Sequence, residues 1–290
     1  MGALDAFETQ RGRLTGLAYR MLGSRADAED AVQDAWVKWS TADRAHVENT
    51  DAYLVTIVTR LCLDRLKSAR AAREVYVGPW LPEPIADAEA LSPHAATELA
   101  DDLSFALLLA LERLSPLERA AFLLHDVFDA SFADVARTLD RSEAAVRQLA
   151  ARARKAVREE RPGHAASAET HERLLGAFMA AVAQRDADAL KALLREDAMV
   201  LSDGGGRKAA ALNPIRGADR SIRFFLGLMR KYFSNGARFE AEPTRFNGAP
   251  GLKIYIDGEF DQVLSIDIDG ELITAIYVVR NPEKLSRVVM

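Results

Sequence analysis

Phe132-Ala133-Asp134-Val135-Ala136-Arg137-Thr138-Leu139-Asp140-Arg141-Ser142-Glu143-Ala144-Ala145-Val146-Arg147-Gln148-Leu149-Ala150-Ala151-Arg152-Ala153-Arg154-Lys155-Ala156-Val157-Arg158 is the stretch whose reading decides the fold. Val135, Ala136 and Leu139 recur at helical spacing and give a short first helix one apolar face. Asp140-Arg141 occupies the turn, where Asp tolerates a left-handed backbone better than most residues. Ser142 can cap a second helix that turns Val146 and Leu149 inward, with small Ala136 where the helices cross. The outward set, Ser142, Glu143, Ala145, Arg147, Gln148 and Arg152, suits a helix lying in a major groove, since Arg pairs bidentately with guanine and Gln with adenine. Arg154, Lys155 and Arg158 suit phosphates, which add affinity without sequence information. The bland alternative is a helical hairpin at a protein interface.

Charge sharpens this reading. The net charge of −5 argues against nucleic acid as a sum, but its distribution argues for it. Arg60–Arg73 and Ser142–Arg158 each hold five basic residues and one acid, whereas Glu83–Asp102 holds six acids and no Lys or Arg. Two basic stripes joined by an acidic link imply two contacts on one polyanion. A single cysteine, Cys62, excludes an internal disulfide and fits a reducing cytosol. No apolar run reaches the roughly 18 residues of a bilayer span, and the polar Met1–Arg13 carries no secretory signal, so the expectation is a cytoplasmic protein without membrane contact.

Working outward, residues 1–75 read as helices: Leu14, Leu17, Ala18, Met21 and Leu22; then, past Gly23-Ser24, Ala31, Val32, Ala35, Trp36 and Trp39; then Leu54, Ile57, Val58, Leu61 and Leu66. Residues 76–95 form a linker, because Pro79, Pro82 and Pro84 forbid helix interior, and Trp80-Leu81 inside it suggests docking. A second helical unit spans 96–162, with Ser115-Pro116-Leu117-Glu118 as a strong helix start. After a short linker, 163–168, the pattern of 169–290 changes to helices followed by alternating strands, Leu252–Ile256, Phe260–Ile268 and Leu272–Val279, turned at Asp257-Gly258 and Asp269-Gly270. The fold class is multidomain: two all-α domains, then an α+β cone with an antiparallel sheet.

These residues resemble the two helical domains of extracytoplasmic-function (ECF) sigma factors. Ala26–Trp36 resembles the family's core-polymerase-binding helix, which docks on the β′ clamp helices; Asp30, Val32, Gln33, Asp34 and Trp36 would make that contact. Asp27, Asp30 and Asp34 share one helical side, but without His or Cys nearby the expectation is no metal. The helix from Asp51 to Ala72 resembles the reader of the minus-ten element, implying Tyr53, Thr56, Arg60, Asp64 and Lys67 as its contacts. The helix-turn-helix would read the minus-thirty-five element, with the β flap as a second polymerase contact. Cys62 reads as a small core residue.

The resemblance narrows to the subgroup carrying a fused SnoaL-like (NTF2-like) domain. Trp80-Leu81-Pro82-Glu83-Pro84, Asp203-Gly204-Gly205-Gly206-Arg207 and Asn281-Pro282-Glu283-Lys284-Leu285 are similar to its three signatures, although Glu283 stands where Asp is usual. In that group the C-terminal domain contacts the sigma domains and replaces a separate anti-sigma protein. Trp80, Leu81, Pro82, Asp203, Gly204, Gly205, Gly206, Arg207, Asn281, Pro282, Lys284 and Leu285 are therefore the implied regulatory contacts. NTF2-like cones also host enzymes. Here the third domain holds one histidine, His171, expected away from the sheet interior, and Asp257, Glu259, Asp261, Asp267 and Asp269, expected mostly at solvated turns. The expectation is no catalysis and no cofactor, with a small ligand of the cone left open. The rival readings are a conventional helix-turn-helix regulator and a fused SnoaL-type enzyme or ligand-binding protein.

Overall fold

The computed structural model describes residues 2–44, 46–86, 103–160, 167–234 and 236–288, with side chains of 68–74, 160 and 233 left aside. The chain divides into two units, and the division does not follow chain order. Helical residues 2–75 and 103–160 make one unit; residues 76–86 join 167–288 in the other.

In the helical unit, α1 (Ala3–Leu22), α2 (Arg25–Thr41) and α3 (Thr50–Glu74) enclose Phe7, Leu14, Leu17, Tyr19, Ala31, Val32, Leu54, Val58 and Cys62. Gly23 ends α1 in the left-handed conformation at φ 69°, and Ser24 accepts the Asp27 amide to start α2. Next come α4 (Phe105–Glu112), α5 (Pro116–Phe122), a π-helical turn (Leu123–Val127), α6 (Phe132–Leu139) and α7 (Glu143–Glu160). The Ser115–Glu118 capping box forms as expected. The two halves of this unit are in contact: Arg119 of α5, 3% exposed, donates to the Met21 carbonyl at 2.5 Å and pairs with Glu112 at 2.7 Å. Its guanidinium thus closes the C-terminal end of α1.

The other unit has α8 (Ala168–Gln184), α9 (Ala187–Leu193) and α10 (Ala218–Ser234) packed on a six-stranded sheet ordered β2-β1-β6-β5-β4-β3. Its strands are β1 (Leu194–Asp203), β2 (Ile215–Arg216), β3 (Phe239–Phe246), β4 (Ala249–Ile256), β5 (Glu259–Asp269) and β6 (Leu272–Val279). The three C-terminal strands and the Asp257-Gly258 turn are where the pattern placed them, with φ of 55° and 83° at the turn. The purely antiparallel expectation is corrected: β1 runs parallel to β6, Asp203 opposite Val279. β1 begins at Leu194, immediately after α9 ends at Leu193. A short helix, α11 (Pro282–Leu285), follows β6 and is capped by Asn281.

Cys62 is fully buried, and burial pushes its thiol up to about 12. Because the thiolate is the nucleophile, the native protein will resist iodoacetamide at pH 8 while urea-unfolded protein alkylates fully, as intact mass will record.

Candidate functional site

The helix-turn-helix is built as its residues require. Asp140 takes φ 53°, ψ 56° at the end of α6, and Ser142 Oγ accepts the Ala145 amide at 3.3 Å. Val146, Leu149 and Ala153 are buried, which leaves Ser142, Glu143, Arg147, Gln148, Arg152 and Lys155 exposed and Ala145 half-buried along α7. Arg147 is pre-oriented: it lies 4.5 Å over the Phe132 ring and pairs with Glu143 at 3.0 Å. Arg152 pairs with Glu118 at 3.2 Å and Lys155 with Glu159 at 3.8 Å. Arg154 departs from the phosphate-facing expectation. It is bonded to Asp126 of the π-helical turn and so ties α7 to its neighbour.

On α2 and α3 the structure separates the expected contacts into two kinds. Asp30, Gln33 and Asp34 are exposed, but Val32 is 1% exposed and Trp36 packs on Phe7 with ring centroids 5.2 Å apart. Val32 is therefore corrected to a core residue, because it shares the inward arc with Ala28, Ala31 and Ala35. Val37, 55% exposed beside Asp34, is the apolar group that faces out. Arg65 turns toward α2, 2.7 Å from Asp34, instead of adding to the basic stripe. Tyr53 is 37% exposed with its ring tilted against Trp39, centroids 5.8 Å apart, and Asp64 and Lys67 are both exposed and paired at 2.8 Å.

Thr56 and Arg60 are engaged by α6. The Thr56 hydroxyl gives its one proton to the Ala52 carbonyl at 2.9 Å, so Thr138 donates across the 2.9 Å contact between the two hydroxyls. Arg60 donates to the carbonyls of Thr138 at 3.1 Å and Arg137 at 3.3 Å. A guanidinium on those terminal carbonyls complements the helix dipole.

The second site is the strap, residues 76–86, gripped by the sheet unit. Asp203, at the end of β1, is 0% exposed and its carboxylate accepts four bonds. Oδ1 takes the Tyr76 hydroxyl at 2.6 Å and the Gly205 amide at 3.0 Å; Oδ2 takes the Leu81 amide at 2.8 Å and Lys284 Nζ at 2.7 Å. Lys284 also donates to the Leu81 carbonyl and sits 4.2 Å over the Trp80 ring and 5.1 Å over Tyr76. Asn281 Nδ2 reaches Tyr76 at 2.9 Å, while burial and Asp203 raise the Tyr76 pKa.

Leu81 is fully buried, Pro82 is buried, and Leu285 is 4% exposed. The glycines let main chains approach: a Cβ on Gly204 would strike the Lys208 carbonyl, and one on Gly205, at φ 60°, would strike Asn281. Gly206, at φ 70°, lies against Val77, and Pro282 opens α11. Arg207 does not enter the clamp. It pairs with Glu283 at 2.8 Å on the rim, where both side chains are about two-thirds exposed (67% and 68%) and the pair contributes little.

Sequence reasoning missed the strap's far end and a buried ion cluster. Ile85 and Asn247 exchange two bonds of 2.9 Å, one from each amide, and Ala86 bridges to Phe246. The signal was Asn247-Gly248, a hairpin-turn dipeptide with φ of 56° and 78°. Asp261, expected at a solvated turn, is 8% exposed between Arg280 at 2.9 Å and Lys208 at 2.9 Å, and these cations hold its pKa down despite burial. His171 is half-buried and bonded to the Ile266 backbone, with burial lowering its pKa; it is therefore not clear of the sheet. Asp257 is used by the fold, accepting the Arg238 amide at 2.9 Å. Among the described residues no His, Cys, Asp and Glu grouping could hold a metal, and no helix is long and apolar enough to cross a membrane.

A capped helix-turn-helix with a cationic outer face, a second basic helix packed beside it and an α/β domain fit the architecture of a sigma-type initiation protein with an added C-terminal domain. Sigma-70 region 2 matches residues 6–72, and Sigma-70, region 4 matches residues 104–157. The chain is 39% identical to ECF RNA polymerase sigma factor SigJ of Mycobacterium tuberculosis, covering 98% of this chain and 93% of that one. It is 31% identical to the probable ECF RNA polymerase sigma factor SigI of the same species, over 97% and 94%. The crystal structure of SigJ superposes with a TM-score of 0.77 at 36% identity, covering 98% of each chain. The protein belongs to the ECF RNA polymerase sigma factors, and RNA polymerase and promoter DNA are its partners.

Substituting Lys284→Met will leave Asp203 buried without a counter-charge, at a cost of about 3–5 kcal/mol to the strap. Hydrogen exchange at the Leu81 amide will lose protection while α1–α3 keep theirs.

Proposed function

We propose that this sigma factor holds core polymerase through Asp30, Gln33, Asp34 and Val37 on the β′ clamp helices, with region 4 on the β flap. Tyr53, Thr56, Arg60, Asp64 and Lys67 read the minus-ten element, and Arg147, Gln148 and Arg152 read the minus-thirty-five element. The C-terminal domain is a regulator acting in cis, in the cytoplasm, without a separate anti-sigma protein and without catalysis.

One observation carries the regulatory part. The segment joining regions 2 and 4 is an integral piece of the C-terminal domain: both main-chain groups of Leu81 are bonded, to Asp203 and Lys284. Whatever loosens that grip changes the reach between the two readers. Pull-down of core polymerase followed by run-off transcription tests the whole assignment; failure to capture core, or capture without initiation, would end it. Within the same assay, Arg147→Ala and Arg152→Ala will each reduce promoter output about tenfold, on the scale of about 1–3 kcal/mol for a lost base contact.

A resting form is supported by Thr56 and Arg60. Both expected reader side chains are bonded to the end of α6, so the minus-ten reader must shed α6 before it can take a flipped base. Thr138→Val removes one bond of that cover and leaves the reader intact. Free protein carrying it will bind a minus-ten single strand about fivefold more tightly, by fluorescence anisotropy, as expected for a bond contributing about 1 kcal/mol.

A further inference from the structure

The cations of the C-terminal unit are not evenly used. Arg173, Arg195, Lys208, Arg245, Arg280 and Lys284 all sit in ion pairs within this unit. Among the described residues, the cations of α10 do not. Between Arg216 and Arg238 the sequence has six cations and one carboxylate, Asp219. At 100° per residue, Arg220, Arg223, Arg230 and Lys231 fall within one arc of about 100°, opposite Ala218, Ile222, Phe225 and Met229, which are buried against the sheet. All four arc cations are exposed, and none has an ion-pair partner among the described residues. Gly227 lies on the same arc with open space beyond it, so the helix backbone is bare at the centre of the stripe. The two cation pairs are separated by a rise of about 15 Å along the helix.

We propose that this face of α10 binds the sugar-phosphate backbone of duplex promoter DNA, as a third, sequence-independent contact in addition to those of regions 2 and 4. The proposal rests on the sigma-factor function and adds a surface to it. Charge complementarity selects the partner: four solvated guanidinium and ammonium groups with one carboxylate, Asp219, at the edge of their arc gain most from a polyanion whose counterions they release. Connectivity keeps the unit near the promoter, because its strap, residues 76–86, lies in the chain between the two DNA-reading regions. The arc carries no Asn, Gln or aromatic residue, so it lacks most of the apparatus for base readout and suits phosphate.

The test uses holoenzyme assembled from the full chain and a duplex promoter from which it initiates. Affinity is measured by anisotropy from about 50 to 200 mM salt. Removing two phosphate contacts with R223Q/R230Q should flatten the salt dependence, so that wild type loses about tenfold more affinity than the variant over that range. K191Q/K253Q, which removes the same charge elsewhere on the unit, should track wild type. Equal slopes for R223Q/R230Q and wild type would overturn the proposal. So would an equal effect of the control pair, or a loss confined to core-polymerase capture, which would make the partner a protein. A wild-type holoenzyme that bound no promoter would instead bring down the sigma reading, and this surface with it.

Discussion

The buried carboxylate of Asp203 is the interaction on which the C-terminal half depends. An ion removed from water is tolerable only when its charge is matched and its lone pairs are filled. Here four donors fill them, drawn from the strap, the glycine turn and the segment after β6. The arrangement dictates much around it. β1 and β6 must run parallel to bring Asp203 beside Val279, and the turn after Asp203 must lack side chains to close on Asn281. The grip is on the main chain of Leu81, with Trp80 and Tyr76 walling the ammonium from water. A clamp of this kind recognises a backbone path, and the flanking aromatic rings set its register.

In the helical unit the deciding constraint is what each cation is bonded to. Arg119 is spent on the end of α1, Arg60 on the end of α6, Arg65 on Asp34 and Arg154 on Asp126. Counting basic residues in the sequence overstates the charge offered to nucleic acid. What remains outward on α7 is narrower: Arg147 stacked on Phe132, Gln148, Arg152, Lys155 and Arg158. The reader is thus partly pre-organised before any DNA arrives.

Local physics made the helix-turn-helix legible. Its caps, its turn residue and its apolar period lie within 28 consecutive residues, Ser131 to Arg158, and each agreed with the others. The hairpins at Asp257-Gly258 and Asp269-Gly270 were legible for the same reason. The rest needed partners distant in sequence. β1 opens with Leu194-Arg195-Glu196-Asp197, which reads as a continuing helix until β6 pairs with it, and β3 is a largely exposed edge strand interrupted by Pro243. Val32 and Val37 are equally apolar in the sequence; only the packing of α1 and α3 decides which one faces out. The three signatures of the strap site were legible as motifs, whereas Tyr76, Asn247 and the Asp261 cluster, joined across dozens to hundreds of residues, were not.

The chain's route through its two units has a consequence for its birth on the ribosome. The strap emerges early, but Lys284, which closes on Leu81, lies 203 residues later. At roughly 5–20 residues per second, translation leaves the strap ungripped for about 10–40 s after it is made. During that interval the nascent helical unit can fold with its connecting segment still loose, and the finished molecule acquires its tether last.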